Sequence, residues 1–139
     1  MRDVADVLPH KPPFLFVDRI VELTETKVVG VRLFREDEHF FKGHFPDHPV
    51  VPGVLLMEGL AQTMAYFALT QRKSERVFLV GIDRARFRSI VEPGKEVTYE
   101  VTIGEERFGT LTGKGKVMVG NQRIAEATLM GYAGDGKLL

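Results

Sequence analysis

His44 and Glu58 are the side chains of this 139-residue chain whose types and surroundings could move protons. Imidazole is the side chain that changes charge closest to neutral pH, so a neutral ring can take a proton. Glu58 falls inside an apolar run, GVLLMEGLAQTMAYFALTQR, at 53–72. A carboxylate among apolar neighbours is costly unless it is paired, hydrogen-bonded or protonated. A carboxyl that keeps its proton near neutrality is a general acid. Gly53 adds a third function. It stands where a helix would begin, and its N–H is one of the donors left unpaired there, aimed at whatever anion lies beyond. Base, acid and oxyanion donor together suit elimination of water β to a thioester. One group takes the C2 proton, one steadies the enolate-like oxygen, and one protonates the departing 3-hydroxyl. Each residue also has a plainer reading: Glu58 at a solvent-facing helix edge or paired with an arginine, His44 as a surface loop residue.

The elements that must position these groups can be read around them. His44 lies in FFKGHFPDHPVVPG (40–53), where Pro46, Pro49 and Pro52 rule out a regular helix and hold the chain extended. Gly43 permits a close approach beside His44. His39, His44 and His48 invite a metal reading, but an i,i+4 ligand pair needs a helix, which Pro46 prevents, so no metal site is expected. Pro52 suits a first helical turn, and a helix over 53–72 would extend about 30 Å. Glu58, Gln62 and Tyr66 recur every four residues and share one face. The other faces are apolar, which requires burial all round. Residues 14–34 read as two strands of a hairpin turning at Thr24-Glu25. Val77–Ile82 is a further apolar run, and Val97, Tyr99, Val101 and Ile103 alternate with polar residues at period two. Leu111–Val119 and Arg123–Tyr132 read as strands joined by a turn at Gly120-Asn121. One small sheet cannot cover such a helix, so a dimer is expected.

Composition narrows the function. Lys+Arg and Asp+Glu both number 19, which gives no global pull toward nucleic acid or membrane. With no cysteine, disulfides, thiolate nucleophiles and Cys-ligated metals are excluded. The N-terminal residues carry no apolar run of signal-peptide length, and no stretch of about 20 residues is apolar enough to span a bilayer. A cytoplasmic or organelle-matrix location follows, and the cytoplasm is the expectation.

The blocks Gly43-His44-Phe45-Pro46, Pro49-Val50-Val51-Pro52-Gly53-Val54-Leu55 and Glu58-Gly59-Leu60-Ala61-Gln62 resemble the FabZ family of (3R)-hydroxyacyl-acyl-carrier-protein dehydratases. So do Leu8-Pro9-His10, Pro13-Phe14-Leu15-Phe16-Val17-Asp18-Arg19 and Gly81-Ile82-Asp83-Arg84-Ala85-Arg86-Phe87-Arg88. The likeness runs from about Val7 to Tyr132 and implies an α+β hot-dog fold, an antiparallel β-sheet wrapped around one long central helix, with residues 1–139 as a single domain. It implies a hydro-lyase of type II fatty acid biosynthesis, converting (3R)-hydroxyacyl-acyl carrier protein to trans-2-enoyl-acyl carrier protein without cofactor or metal. It implies a homodimer, often a trimer of dimers, in which His44 of one subunit faces Glu58 of the other. Gly53 would donate to the thioester oxygen, and Gln62 would orient Glu58 or a water. Three departures stand out: Asp47-His48 after His-Phe-Pro, Gly59 where alanine is commoner, and Ser89-Ile90-Val91-Glu92-Pro93-Gly94-Lys95 in place of the usual turn. Close packing across the dimer would explain Gly59, or the glycine is simply tolerated. A sister family that also isomerises the double bond carries Asp at the Glu58 position, so Glu58 favours the dehydratase.

Arg84, Arg86 and Arg88 alternate with Ala85, Phe87 and Ser89 and share a face at strand spacing. That face is either simply solvated or a cationic landing site for acidic acyl carrier protein. Phe14 and Phe87 are candidates for lining an acyl tunnel. Two other functions fit parts of the pattern: an acyl-thioester hydrolase of the same fold, and a non-catalytic acyl-binding module, which would need neither His44 nor Glu58.

Overall fold

The computed structural model describes residues 1–74 and 76–134. A short helix α1 (Val4–Val7) precedes the hairpin β1 (Arg19–Leu23) and β2 (Lys27–Leu33). A 3-10 turn at His39–Lys42 leads through the proline-rich loop into α2 (Gly53–Gln71). Four strands follow: β3 (Val77–Phe87), β4 (Glu96–Arg107), β5 (Thr110–Val119) and β6 (Gln122–Ala133). All strands pair antiparallel in one six-stranded sheet of order β1-β2-β4-β5-β6-β3. β1 and β3 are its edges.

The sheet wraps one face around α2. Val97, Tyr99, Val101 and Ile103 of β4 point inward and are buried, as the period-two pattern requires. They meet Leu56, Leu60, Met64 and Phe67 of the helix in a continuous core. The helix is not covered everywhere. Val54, in its first turn, is 73% exposed, and Phe45, Phe87 and Ile90 are exposed too. Tyr66 turns from the polar stripe into the core, where its hydroxyl donates to the Arg2 carbonyl and ties down the N-terminal segment.

Three details differ from what the sequence suggests. The first strand begins at Arg19, not at Phe14, because the backbone groups of Phe14 and Phe16 hydrogen-bond a side chain of α2 rather than β2. Gly59 is explained inside the chain: a Cβ there would lie 2.1 Å from Tyr99 Cζ, so the glycine lets a buried tyrosine ring press on the helix backbone. Lastly, β3 does not alternate evenly. A bulge between Asp83 and Arg86 places Arg84 at φ 52°. The β4–β5 turn is also unusual, since Phe108 (φ 52°) and Gly109 (φ 83°) occupy its two centre positions and Phe108 is 98% exposed.

Candidate active site

The loop that carries His44 is closed on itself. Val50 N–H donates to His44 O at 3.0 Å, His48 N–H to Phe45 O at 3.1 Å, and Val51 N–H to Val91 O at 2.8 Å, which ties the loop to the segment after β3. The His44–Phe45 peptide is cis, and the two rings stack with centroids 4.2 Å apart. His44 Nδ1 lies 3.0 Å from Val50 O. A carbonyl oxygen only accepts, so Nδ1 carries a proton, and in the neutral ring Nε2 holds the lone pair. That is the tautomer a base needs.

The same loop delivers the start of α2. Pro52 is the N-cap residue and offers no side-chain cap, so the first N–H groups of the helix have no such partner. Gly53 also packs under Phe87: a Cβ at Gly53 would sit 2.7 Å from Phe87 Cε1. The missing side chain therefore has a packing reason as well as a chemical one.

Glu58, one turn and a half along the helix, is held by Gln62. Gln62 Nε2 donates to Glu58 Oε2 at 2.9 Å and to Phe14 O at 3.1 Å, while Gln62 Oε1 accepts from Phe16 N–H at 2.8 Å. An amide bonded on both ends cannot flip, since one end must accept from an N–H and the other must donate to oxygens. Gln62 is itself fully buried, and the Glu58 side chain keeps 23% of its exposure. The carboxylate opens onto a cavity of about 230 Å³ whose walls include His10, Gln62 and the apolar Ala61, Met64, Val77 and Phe78.

Within one chain His44 and Glu58 share neither a hydrogen bond nor an ion pair; the ring partner of His44 is Val50 O, and the contacts of Glu58 are Gln62 and His10. Phe14 contributes its carbonyl, not its ring, which is half exposed at the surface. Phe87 covers Gly53 and does not line the Glu58 cavity. His10 is the residue of this site that the sequence reading passed over: its Nε2 is 3.8 Å from Glu58 Oε2. Its one signal in the sequence was its place in Leu8-Pro9-His10. Among the described residues, no three His, Cys, Asp or Glu side chains converge as a metal site would require.

On the outer face of the sheet, Arg88 Nε hydrogen-bonds Glu126 Oε1 and Arg123 Nη1 lies 3.8 Å from the same oxygen. The Arg88 hydrogen bond holds the Glu126 carboxyl below the usual carboxylate range. Arg86 is paired with Glu126 in register, and Arg84 lines a shallow cleft with Glu126, Lys114, Lys116 and Arg123. The bulge thus interrupts the alternation: Arg86 and Arg88 stay beside the Glu126 carboxylate, and Arg84 stands apart at the cleft. No helix of the described residues is long and apolar enough to cross a membrane.

The FabA-like domain family model matches residues 8–128. The 3-hydroxyacyl-(acyl-carrier-protein) dehydratase FabZ of Caldanaerobacter subterraneus subsp. tengcongensis is 43% identical over 132 residues, covering 93% of this chain and 94% of that protein. The protein of the same name from Syntrophobacter fumaroxidans is 38% identical, covering 97% and 96%. Among solved structures, the dehydratase heterocomplex ApeI:P from Xenorhabdus doucetiae superposes with a TM-score of 0.84 at 16% identity, over 98% of this chain and 93% of that one. A mutant of the phenylacetic acid degradation protein PaaI from Thermus thermophilus gives 0.65 at 15% identity, over 84% and 92%. These likenesses fit the hot-dog arrangement of sheet and helix.

Proposed function

The chain belongs to the FabA-like family and, within it, to the FabZ dehydratases, and on that premise we propose that His44 and Glu58 are its acid–base pair. It is a hydro-lyase, a 3-hydroxyacyl-(acyl-carrier-protein) dehydratase of fatty acid biosynthesis. His44 Nε2 takes the C2 proton of a (3R)-hydroxyacyl thioester. Gly53 N–H stabilises the charge that gathers on the thioester oxygen. Glu58 gives its proton to the 3-hydroxyl, which leaves as water, and a trans-2-enoyl thioester remains. Exchange with solvent then removes the proton from His44 and returns one to Glu58, so no cofactor or metal is consumed. The observation that carries this reading is the fixed Gln62 amide, which presents Glu58 to a cavity walled on its other sides by His10 and by the apolar Ala61, Met64, Val77 and Phe78.

His44 and Glu58 work across a homodimer in this reading, each site taking one residue from either subunit. The uncovered Val54, Phe87 and Ile90, and the edge strand β3 with exposed Leu79, Val80 and Ile82, support a second copy as their cover. Such dimers would assemble further into a trimer of dimers. The acyl chain would run along Ala61, Met64, Val77 and Phe78, none of which is Phe14 or Phe87, the two rings suggested by the sequence. Arg84, Arg86 and Arg88 would receive the acidic carrier protein, in the cytoplasm.

The test is hydration of a crotonoyl thioester by wild type, His44→Ala, Glu58→Ala and a refolded mixture of the two variants, with free carrier thiol assayed alongside to detect hydrolysis. Each variant alone should be nearly inactive. The mixture should recover roughly a quarter of wild-type activity, because half the dimers are hybrids and each hybrid has one intact site of two. An inactive mixture refutes the shared site; thiol release without enoyl chemistry refutes the dehydratase mechanism.

A further inference from the structure

His10 is not carried on a loose tail. It follows Leu8, which is 2% exposed, at the end of α1, and Val4 of α1 is buried as well. Lys11 Nζ pins the turn by donating to Ala5 O at 2.8 Å and to Leu8 O at 3.3 Å. The ring therefore meets α2 from a fixed base. Its Nε2 faces Glu58 Oε2 at 3.8 Å, and its Nδ1 is buried with no hydrogen-bond partner among the described residues.

These two facts settle where a single ring proton belongs. Nδ1 is buried and unpaired in either tautomer, as donor or as acceptor, so the choice is made at Nε2, where a lone pair would face a carboxylate oxygen. A proton on Nε2 points at that oxygen instead. Gln62 Nε2 already donates to that same oxygen at 2.9 Å. Both nitrogen contacts thus fall on Oε2, and neither falls on Oε1. An oxygen facing two N–H donors acts as an acceptor, so the acidic proton of the carboxyl must sit on the other oxygen.

We propose that His10 is a positioning residue: with Gln62 it clamps Oε2 of Glu58, so that Oε1 carries the proton given to the departing hydroxyl. The proposal rests on the reading of Glu58 as the acid. Closing 3.8 Å to hydrogen-bond length takes about 1 Å, a tightening of the kind that accompanies substrate binding. Without His10, Glu58 keeps one clamp and can rotate, which places the proton on either oxygen. The defect then belongs to the chemical step and not to substrate binding.

The experiment measures kcat and KM for crotonoyl thioester hydration in wild type, His10→Ala, His10→Gln and His10→Phe, with Glu58→Ala as reference and thermal melting as the control for folding. His10→Ala and His10→Phe should lower kcat by about 10- to 100-fold with KM little changed. His10→Gln should recover most of kcat, because its amide N–H can face Oε2. If His10→Ala melts early, the comparison between Gln and Phe variants of equal stability decides. Wild-type kcat in the Phe variant overturns the proposal, as does equal loss in Phe and Gln, or a rise in KM with kcat unchanged. If wild type itself is inert, the acid–base reading falls and takes this one with it. If wild type turns over and Glu58→Ala does not, failure of the His10 variants to respond overturns the positioning role alone.

Discussion

Replacing Gly59 by alanine should destabilise the protein, although alanine is the better helix former. The propensity gain is about 1 kcal/mol at a helix interior position. Against it stands the ring of Tyr99, which is fully buried. The new methyl would lie 2.1 Å from Cζ, 2.3 Å from the hydroxyl oxygen and 2.5 Å from Cε1. Relief requires the ring to retreat by more than an ångström in a packed core, and overpacking of this kind costs about 3 kcal/mol, the upper part of its usual range. The net loss is then about 2 kcal/mol, or roughly 8 °C in Tm for a domain of this size. Urea unfolding should show a lower midpoint at unchanged slope. The decisive comparison is made in a Tyr99→Leu background. With the ring gone the clash goes too, and the same alanine should now stabilise by about 1 kcal/mol, a coupling of about 3 kcal/mol between the two positions. Removing only the hydroxyl, in Tyr99→Phe, should give little relief, because ring carbons make two of the three close contacts. Gly59→Ala as stable as wild type, or equally damaging in both backgrounds, would refute the reasoning.

Gln62→Leu should cost about 1–3 kcal/mol of stability by leaving Phe16 N–H buried without an acceptor, and should lower kcat by freeing Glu58; calorimetry and the crotonoyl assay read the two effects. Phe108→Asn should stabilise by about 1 kcal/mol, since a two-residue turn with both φ positive favours Asn-Gly over Phe-Gly, and a melting scan that shows no gain would contradict the strain assigned there. Reversing Arg84 and Arg86 to Glu should raise KM for carrier-bound substrate and leave a small thioester unaffected; equal effects on both would remove the docking role.

Much of this architecture is legible in the chain itself. Pro52 and the apolar run after it mark α2 to within a residue at its start, because the signal is local. The alternation of Val97, Tyr99, Val101 and Ile103 marks β4 for the same reason. The parts that escaped depend on contacts between distant residues. Phe14 to Val17 have strand composition, but Gln62 takes the hydrogen-bonding groups of residues 14 and 16. Gly59 looks like a weak point until Tyr99, forty positions on, is seen against it. Arg84 sits in a bulge that no alternation rule foresees. His10 lies far from Glu58 in sequence, and only the packing of α1 brings it near. The pairing of His44 with Glu58 was suggested by resemblance, since the residues do not meet within one chain.

The way Gln62 is anchored has a consequence for how this chain can change over evolutionary time. It grips the main chain at Phe14 and Phe16, through a carbonyl and an N–H, and makes no demand on their side chains. Every amino acid supplies that carbonyl, and every one but proline supplies that N–H. The half-exposed side chain of Phe14 can therefore change while the carboxylate stays where it is, whereas Phe16 is held by its burial in the core. Position 14 can thus vary in a lineage without moving the amide that holds Glu58.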